Sequence, residues 1–193
     1  MGMEYIEYPQ LFHLIQQKAE KGEQFSDIVA SRIMKKIVDA VSYIHDKGII
    51  HRDLKTANIL VDQSTIHTDN PKIKIIDFGF GNKSQSSYDE HMGTLIYMAP
   101  EVALNQEYTK SVDIWALGII MHKLLTHGKH PFYAKYTDSK DRFVKKLQSI
   151  KKVDVDKSIS WLAKNLVQRL LAIQAHQRYN ANDILRHPWI TRR

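Results

Sequence analysis

The feature that most restricts the fold of this chain is the run His-Arg-Asp-Leu-Lys-Thr-Ala-Asn-Ile-Leu at residues 51–60. It places a carboxylate, an ammonium and an amide, at Asp53, Lys55 and Asn58, within one short stretch. A carboxylate can accept a proton and an amide oxygen can bind a hard cation, so the run is a candidate site. The alternative is a surface loop in which these charges pair with one another.

A second segment, Asp77-Phe78-Gly79, directly follows the largely apolar run Ile73–Ile76. We predict that this run and the largely β-branched residues 59–61 form a small hairpin around Asp69-Asn70-Pro71. The tripeptide is a weak signal alone. It gains weight because it follows the run at 51–60.

Two further segments lie downstream, Gly-Thr-Leu-Ile-Tyr-Met-Ala-Pro-Glu at 93–101 and Asp-Ile-Trp-Ala-Leu-Gly at 113–118. Together the four segments resemble the C-terminal lobe of eukaryotic-type serine/threonine protein kinases. The resemblance covers residues 3 to about 189, so residues 1–193 are interpreted as a partial kinase domain, with 1–8 as the last strand of the N-terminal lobe and the hinge.

The resemblance implies a mainly α-helical large lobe with short β-hairpins near the cleft, and no N-terminal β-lobe within these residues. It also implies ATP and Mg²⁺ as cofactors and a protein as substrate. The segments at 128–132 and 185–190 are similar to those of calcium- and calmodulin-dependent kinase relatives. Lys55, with Thr94 downstream, favours Ser/Thr over Tyr as the acceptor.

Catalytic and metal-binding roles also follow from the resemblance. Asp53 would orient the substrate hydroxyl and accept its proton, and Lys55 would steady the transferring phosphoryl group. Thr94 would approach both and help to shape the peptide site. Asn58 and Asp77 would bind Mg²⁺, because a hard cation prefers oxygen ligands.

The resemblance assigns structural roles to other residues. Asp113 would form hydrogen bonds with the backbone of residues 51–60, the catalytic loop, and hold His51 and Arg52 in place. Glu101 would be buried, and a buried carboxylate needs a cation, for which Arg178 stands in the matching position.

The segment after Asp77 would be regulatory. Phe78 would pack under the cleft, and Gly79 would let the backbone turn. Arg52 would bind a phosphate carried by this segment, and that phosphoryl group could order the segment. The alternative is that the hydroxyl-bearing residues of the segment are only polar loop residues. The candidate phosphosites are Ser84, Ser86, Ser87 and Tyr88.

The nucleotide base would be held by the start of the chain. Met3 would lie at the back of the adenine pocket, backbone groups of Glu4 and Ile6 would meet the adenine edge, and Leu60 would lie beneath the ring. Gln10 stands where an acidic residue often meets the ribose, which favours weaker nucleotide binding.

Several parts of a kinase are absent from the 193 residues: a Gly-rich loop, the strand Lys that grips the phosphates and the helix Glu that pairs with it. Because these parts position ATP, we expect this chain alone to have negligible kinase activity. Ala57 replaces the acid frequently seen before Asn58, which would alter the charge preference for substrates.

Two interpretations remain. The chain is the C-terminal lobe of an active kinase that has its missing N-terminal lobe in cis. Alternatively, it is a free-standing lobe that acts as a scaffold or structural binding module. A lobe of that kind would expose the apolar floor of its cleft, including Met3, Leu60 and Phe78, and a protein partner would cover it.

Composition excludes some other classes. With no Cys, disulfides and thiolate metal sites are excluded, and a reducing compartment such as the cytoplasm is expected. The net charge of +7 comes from scattered basic residues without interleaved aromatics, so we expect no nucleic-acid partner. No apolar run is long enough for a membrane span, so no membrane partner is expected.

The apolar periodicity predicts helices around this site. A short helix from Leu11 ends near Gly22, and a longer one is capped by Ser26 or Asp27 and stops at Gly48. From about Lys110 the chain reads as helical, with breaks near 128–131 and 152–157.

Overall fold

The computed structural model describes residues 7–78, 95–132, 140–150, 153, 155–156 and 158–192. Several predicted site residues lie outside this part of the chain, namely Met3, Glu4, Ile6, Gly79, Ser84, Ser86, Ser87, Tyr88 and Thr94.

The described residues are mainly helical, as the sequence predicted. They also contain a two-stranded sheet and two short 3-10 turns, Thr56–Asn58 and Ala175–Gln177. The helices and strands are α1 (Leu11–Glu20), α2 (Asp27–Asp46), β1 (Ile59–Val61), β2 (Ile73–Ile75), α3 (Pro100–Ala103), α4 (Ser111–Leu125), α5 (Lys140–Ser149), α6 (Trp161–Leu170), α7 (Ala181–Arg186) and α8 (Pro188–Thr191).

Helix α2 begins where the sequence predicted. The Ser26 hydroxyl accepts a hydrogen bond from the Val29 backbone N–H at 3.4 Å, which satisfies one of the free donors at the helix start. The buried stripe of α2 includes Ile33, Ile37 and Val41. Gly48 follows the helix with a φ of +75°, a conformation that glycine adopts without strain.

Helix α4 lies at the centre of the core, and all its residues except Ser111 are buried. A helix that is apolar on every side is typical of such a position. A Cβ atom built on Gly118 would stand 2.6 Å from Leu171 Cδ2 and 2.9 Å from Leu170 Cβ. The absence of a side chain at Gly118 therefore lets α4 approach the end of α6 closely.

Strands β1 and β2 pair antiparallel with Ile59 opposite Ile75, so the predicted hairpin is present. The second strand ends at Ile75, one residue short of the prediction. The connection occupies residues 62–72 and includes the predicted Asp69-Asn70-Pro71. It begins at Asp62, which accepts hydrogen bonds from the backbone and hydroxyl of Ser64.

Three other features of the described residues concern the helices. Pro100 is the first residue of α3, a favoured position for proline. The break after α4 contains Gly128 with a φ of +75°. Among the described helices, none combines the length and the apolar character needed to cross a bilayer.

Candidate active site

Asp53, Lys55 and Asn58 meet at the start of β1. The Asp53 Oδ2 atom accepts hydrogen bonds from Lys55 Nζ at 2.7 Å and from Asn58 Nδ2 at 3.0 Å. Asn58 Nδ2 also donates to the Asp53 carbonyl oxygen at 2.9 Å. Asp53 and Asn58 are both buried. The carboxylate is therefore held in one orientation by two side chains of its own loop, and keeps lone pairs for a further donor.

The loop that carries these residues is anchored by Asp113 in the first turn of α4. Asp113 Oδ2 accepts from the His51 backbone N–H and Oδ1 accepts from the Arg52 backbone N–H, each at 2.9 Å. This is the contact that the sequence led us to expect. Arg52 has a φ of +71°, which costs free energy for a residue other than glycine. Asp113 stabilises this strained backbone.

A further partner of Asp113 was not found from the sequence. His45 Nε2 lies 2.8 Å from Asp113 Oδ2, and Lys110 Nζ donates to the His45 carbonyl oxygen. His45 belongs to the buried stripe of α2 together with Val41 and Ser42. A polar residue on an otherwise buried helix face is the signal that could have indicated a specific partner.

His51 connects the catalytic loop to the residue before Asp77. Its Nδ1 accepts from the Asp53 backbone N–H at 3.3 Å, so its Nε2 carries the proton and donates to the Ile76 carbonyl oxygen at 3.2 Å. The Ile76 backbone N–H in turn donates to the Asn58 carbonyl oxygen at 3.0 Å. These contacts fix the end of β2 beside the loop.

The residues present fit a hard divalent cation. Asn58 uses its Nδ2 atom for Asp53, which leaves the amide oxygen for a ligand, and the carboxylate of Asp77 is exposed next to Ile76. Two protein oxygens suit Mg²⁺, which usually completes its coordination with phosphate oxygens and water. Within the described ranges, no cluster of three or more His, Cys, Asp or Glu residues forms a separate metal site.

The floor of the cleft is partly open. Phe78 is 46% exposed, and its ring contacts that of His51 at a centroid distance of 4.7 Å. Leu60 is half-buried in β1 and forms an isolated bridge with Gln10, so these two predicted nucleotide-binding residues are neighbours. The other predicted adenine contacts lie outside the described residues.

Glu101 and Arg178 form the buried ion pair that the sequence predicted. Arg178 donates to both carboxylate oxygens of Glu101, at 2.6 Å and 2.7 Å. The guanidinium also donates to the carbonyl oxygens of Ser111, Ala172 and Ile173. The pair joins α3 to the segment before α7.

The segment that leads to α3 is held by contacts that the sequence did not indicate. The hydroxyl oxygens of Tyr97 and Thr56 lie 2.9 Å apart, which joins this segment to the catalytic loop. His130 Nε2 donates to the Ile96 carbonyl oxygen at 2.7 Å. Burial lowers the pKa of His130 to about 3, so this histidine is neutral near pH 7.

Comparison with known proteins identifies the family. Residues 1–190 match the family described as protein kinase domain, and the chain belongs to this family. It is 34% identical to mouse serine/threonine-protein kinase 33, over 96% of this chain and 41% of that protein. It is 34% identical to probable serine/threonine-protein kinase fhkE of Dictyostelium discoideum, over 97% of this chain and 28% of that protein.

A third relative, the Aurora kinase of Saccharomyces cerevisiae, is 33% identical over 98% of this chain and 48% of its own length. The chain therefore spans less than half of each of these relatives. The printed names of the mouse and Dictyostelium relatives support the prediction of a serine/threonine kinase. They do not single out the calcium- and calmodulin-dependent group.

Proposed function

We propose that this chain is the large lobe of an enzyme that transfers the γ-phosphoryl group of ATP to Ser or Thr hydroxyls of proteins. The observation that carries this proposal is the orientation of Asp53. Lys55 and Asn58 hold its carboxylate, and Asp113 holds the backbone of its loop. A carboxylate fixed in this way suits proton acceptance from a hydroxyl.

The chemistry follows from the positions of these side chains. ATP with Mg²⁺, when bound, supplies the phosphoryl group and neutralises part of its charge. Asp53 accepts the proton of the attacking hydroxyl. Lys55, whose ammonium lies 2.7 Å from that carboxylate, stabilises negative charge at the reacting centre. Asn58 and Asp77 are the residues that would hold the cation.

The activity requires parts that these 193 residues do not contain. We propose that the residues that grip the phosphates come from the same polypeptide or from a second chain, and that this chain alone transfers phosphate at a negligible rate. The greater length of its relatives, of which it covers 41% and 28%, supports this proposal. Phosphoryl transfer depends almost entirely on positioning and electrostatics. Loss of the residues that bind the ATP phosphates therefore removes most of the rate.

The test is phosphotransfer from ATP and Mg²⁺ to a mixture of Ser/Thr peptides by the native protein that carries this chain. Asp53→Asn should lower the rate roughly a hundredfold to ten-thousandfold. Asp46→Asn is the control, because Asp46 is exposed at the end of α2. Equal rates for the wild type and Asp53→Asn would reject the proposed function.

The second candidate is a scaffold, and the exposure of Phe78 on the cleft floor favours it. The intact mass of the protein from its native source separates the two candidates. A mass well above 22.4 kDa, with peptides that contain a Gly-rich loop and a strand Lys, supports the kinase. A mass near 22.4 kDa supports the lone lobe.

A further inference from the structure

Thr56 in the catalytic loop carries a hydroxyl that the proposed mechanism does not use. Thr56 directly follows Lys55 and is only 1% exposed. Its hydroxyl oxygen lies 2.9 Å from that of Tyr97, and the hydrogen bond between them is buried. A buried hydroxyl that loses its partner is costly, because water cannot easily replace the lost hydrogen bond. The two hydroxyls therefore depend on each other.

Thr56 begins the 3-10 turn that carries the groups around Asp53. The Asn58 backbone N–H donates to the Lys55 carbonyl oxygen at 2.9 Å and closes this turn. The side chains of Lys55 and Asn58 both donate to the Asp53 carboxylate. A contact made by Thr56 is thus fixed to the same short turn as the groups that orient Asp53.

Tyr97 belongs to the segment before α3, and this segment borders the catalytic carboxylate. One cavity is lined by Asp53 and Leu54 of the catalytic loop together with Tyr97, Met98 and Ala99. A protein substrate whose hydroxyl reaches Asp53 must place its neighbouring residues on the surfaces beside this carboxylate. The segment that contains Tyr97 is one of these surfaces.

The same segment has anchors that do not involve Thr56. Lys123 of α4 is 8% exposed, and its ammonium lies over the ring of Tyr97, 5.4 Å from the ring centroid. His130 Nε2 donates to the carbonyl oxygen of Ile96, the preceding residue. Loss of the hydroxyl pair should therefore shift the segment relative to the catalytic loop without unfolding it.

From these contacts we propose that Thr56 is a positioning residue that acts through Tyr97. It holds residues 95–98 at the distance from Asp53 that a bound protein substrate requires. This inference rests on the proposed kinase function and concerns the peptide side of the site. Without the hydroxyl pair, the segment and the turn can move apart, which weakens peptide binding and leaves nucleotide binding unchanged.

The test removes each hydroxyl in the native protein that carries this chain. Kinetics are measured with the Ser peptide of a mixed library that binds the wild type most tightly. Thr56→Val and Tyr97→Phe should each raise the KM for this peptide about tenfold and leave the KM for ATP unchanged. Thr56→Ser keeps a hydroxyl and should match the wild type. Tyr43→Phe and Thr68→Val, at exposed positions, are controls that should leave the peptide KM unchanged.

The double variant Thr56→Val/Tyr97→Phe separates positioning from stability. Each single variant leaves one buried hydroxyl unpaired, whereas the double variant leaves neither. Its free energy of unfolding in urea should therefore return towards the wild-type value. The KM for the peptide should stay about tenfold raised, because the contact between turn and segment is still missing. Recovery of both quantities together would make the role of the pair merely structural and would overturn the inference.

Peptide binding measured without catalysis separates this inference from the proposed function. Fluorescence polarisation of the fluorescein-labelled peptide is measured in the Asp53→Asn background, where adding Thr56→Val should raise the Kd about tenfold. This rise, together with a wild type that transfers no phosphate, would reject the kinase and keep Thr56 as a peptide-positioning residue. The inference is overturned if folded Thr56→Val and Tyr97→Phe variants keep the wild-type KM and Kd for the peptide, or if no peptide of the library binds.

Discussion

The buried pair of Glu101 and Arg178 gives a quantitative prediction about stability. In Glu101→Gln, Arg178 loses a charged partner at 2.6 Å and 2.7 Å but keeps three backbone carbonyl acceptors. In Arg178→Met, by contrast, the contact of the Glu101 carboxylate that remains among the described residues is a long one with the Ser111 hydroxyl, at 3.4 Å.

The expected magnitudes follow from these remaining contacts. Breaking a buried ion pair by removing one partner costs roughly 3–5 kcal/mol. We expect Glu101→Gln at the lower end of this range and Arg178→Met at the upper end. The double variant Glu101→Leu/Arg178→Met should be less destabilised than the sum of the single variants, because it leaves no buried charge unpaired.

Urea unfolding monitored by circular dichroism measures these free energies. The matched control is Asp39→Asn, which breaks the exposed pair with Lys35 at 2.9 Å on α2. That change should cost only about 0.3–0.5 kcal/mol. If Glu101→Gln cost no more than Asp39→Asn, the structural role given to the buried pair would be refuted.

Three further predictions concern stability. Because the pKa of His130 falls to about 3 on folding, the unfolded chain binds more protons between pH 6.5 and 3, so the free energy of unfolding should fall by about 1 kcal/mol from pH 7.5 to 5.5. His130→Gln, which can still donate to Ile96, should reduce this slope in pH-dependent urea titrations. Gly118→Ala should cost roughly 1–3 kcal/mol in the same assay, since its Cβ atom would stand 2.6 Å from Leu171 Cδ2. Ser26→Ala should cost about 1 kcal/mol and Ser26→Asp much less, because Asp can also cap α2; equal losses would contradict the capping role.

The sequence predicted the contacts that are local along the chain and those in which a buried charge needs an opposite charge. Ser26 or Asp27 was predicted as the cap of α2 from the position before an apolar stripe, and in the structure Ser26 is the cap. The pairing of Glu101 with Arg178 was predicted from the resemblance and from the cost of a buried carboxylate, and it is also present. The roles of the catalytic and metal-binding residues stay predictions.

Other contacts depend on tertiary packing and could not be read from local patterns. His45 reaches Asp113 only because α2 packs against α4, and Tyr97 reaches Thr56 only because the segment before α3 returns to the loop. The environment of Lys123 was missed for the same reason. A lysine within a helix is usually exposed, and nothing in its neighbours along the chain indicates that it is 8% exposed.

The most direct test of the central claim is a comparison of nucleotide affinity with the rate of the chemical step in the native protein that carries this chain. Single-turnover transfer from ATP to a Ser peptide gives that rate, and titration with ATP and Mg²⁺ gives the affinity. We predict that Asp53→Asn leaves the Kd for the nucleotide unchanged and lowers the transfer rate roughly a hundredfold or more. An unchanged transfer rate in Asp53→Asn would contradict the account.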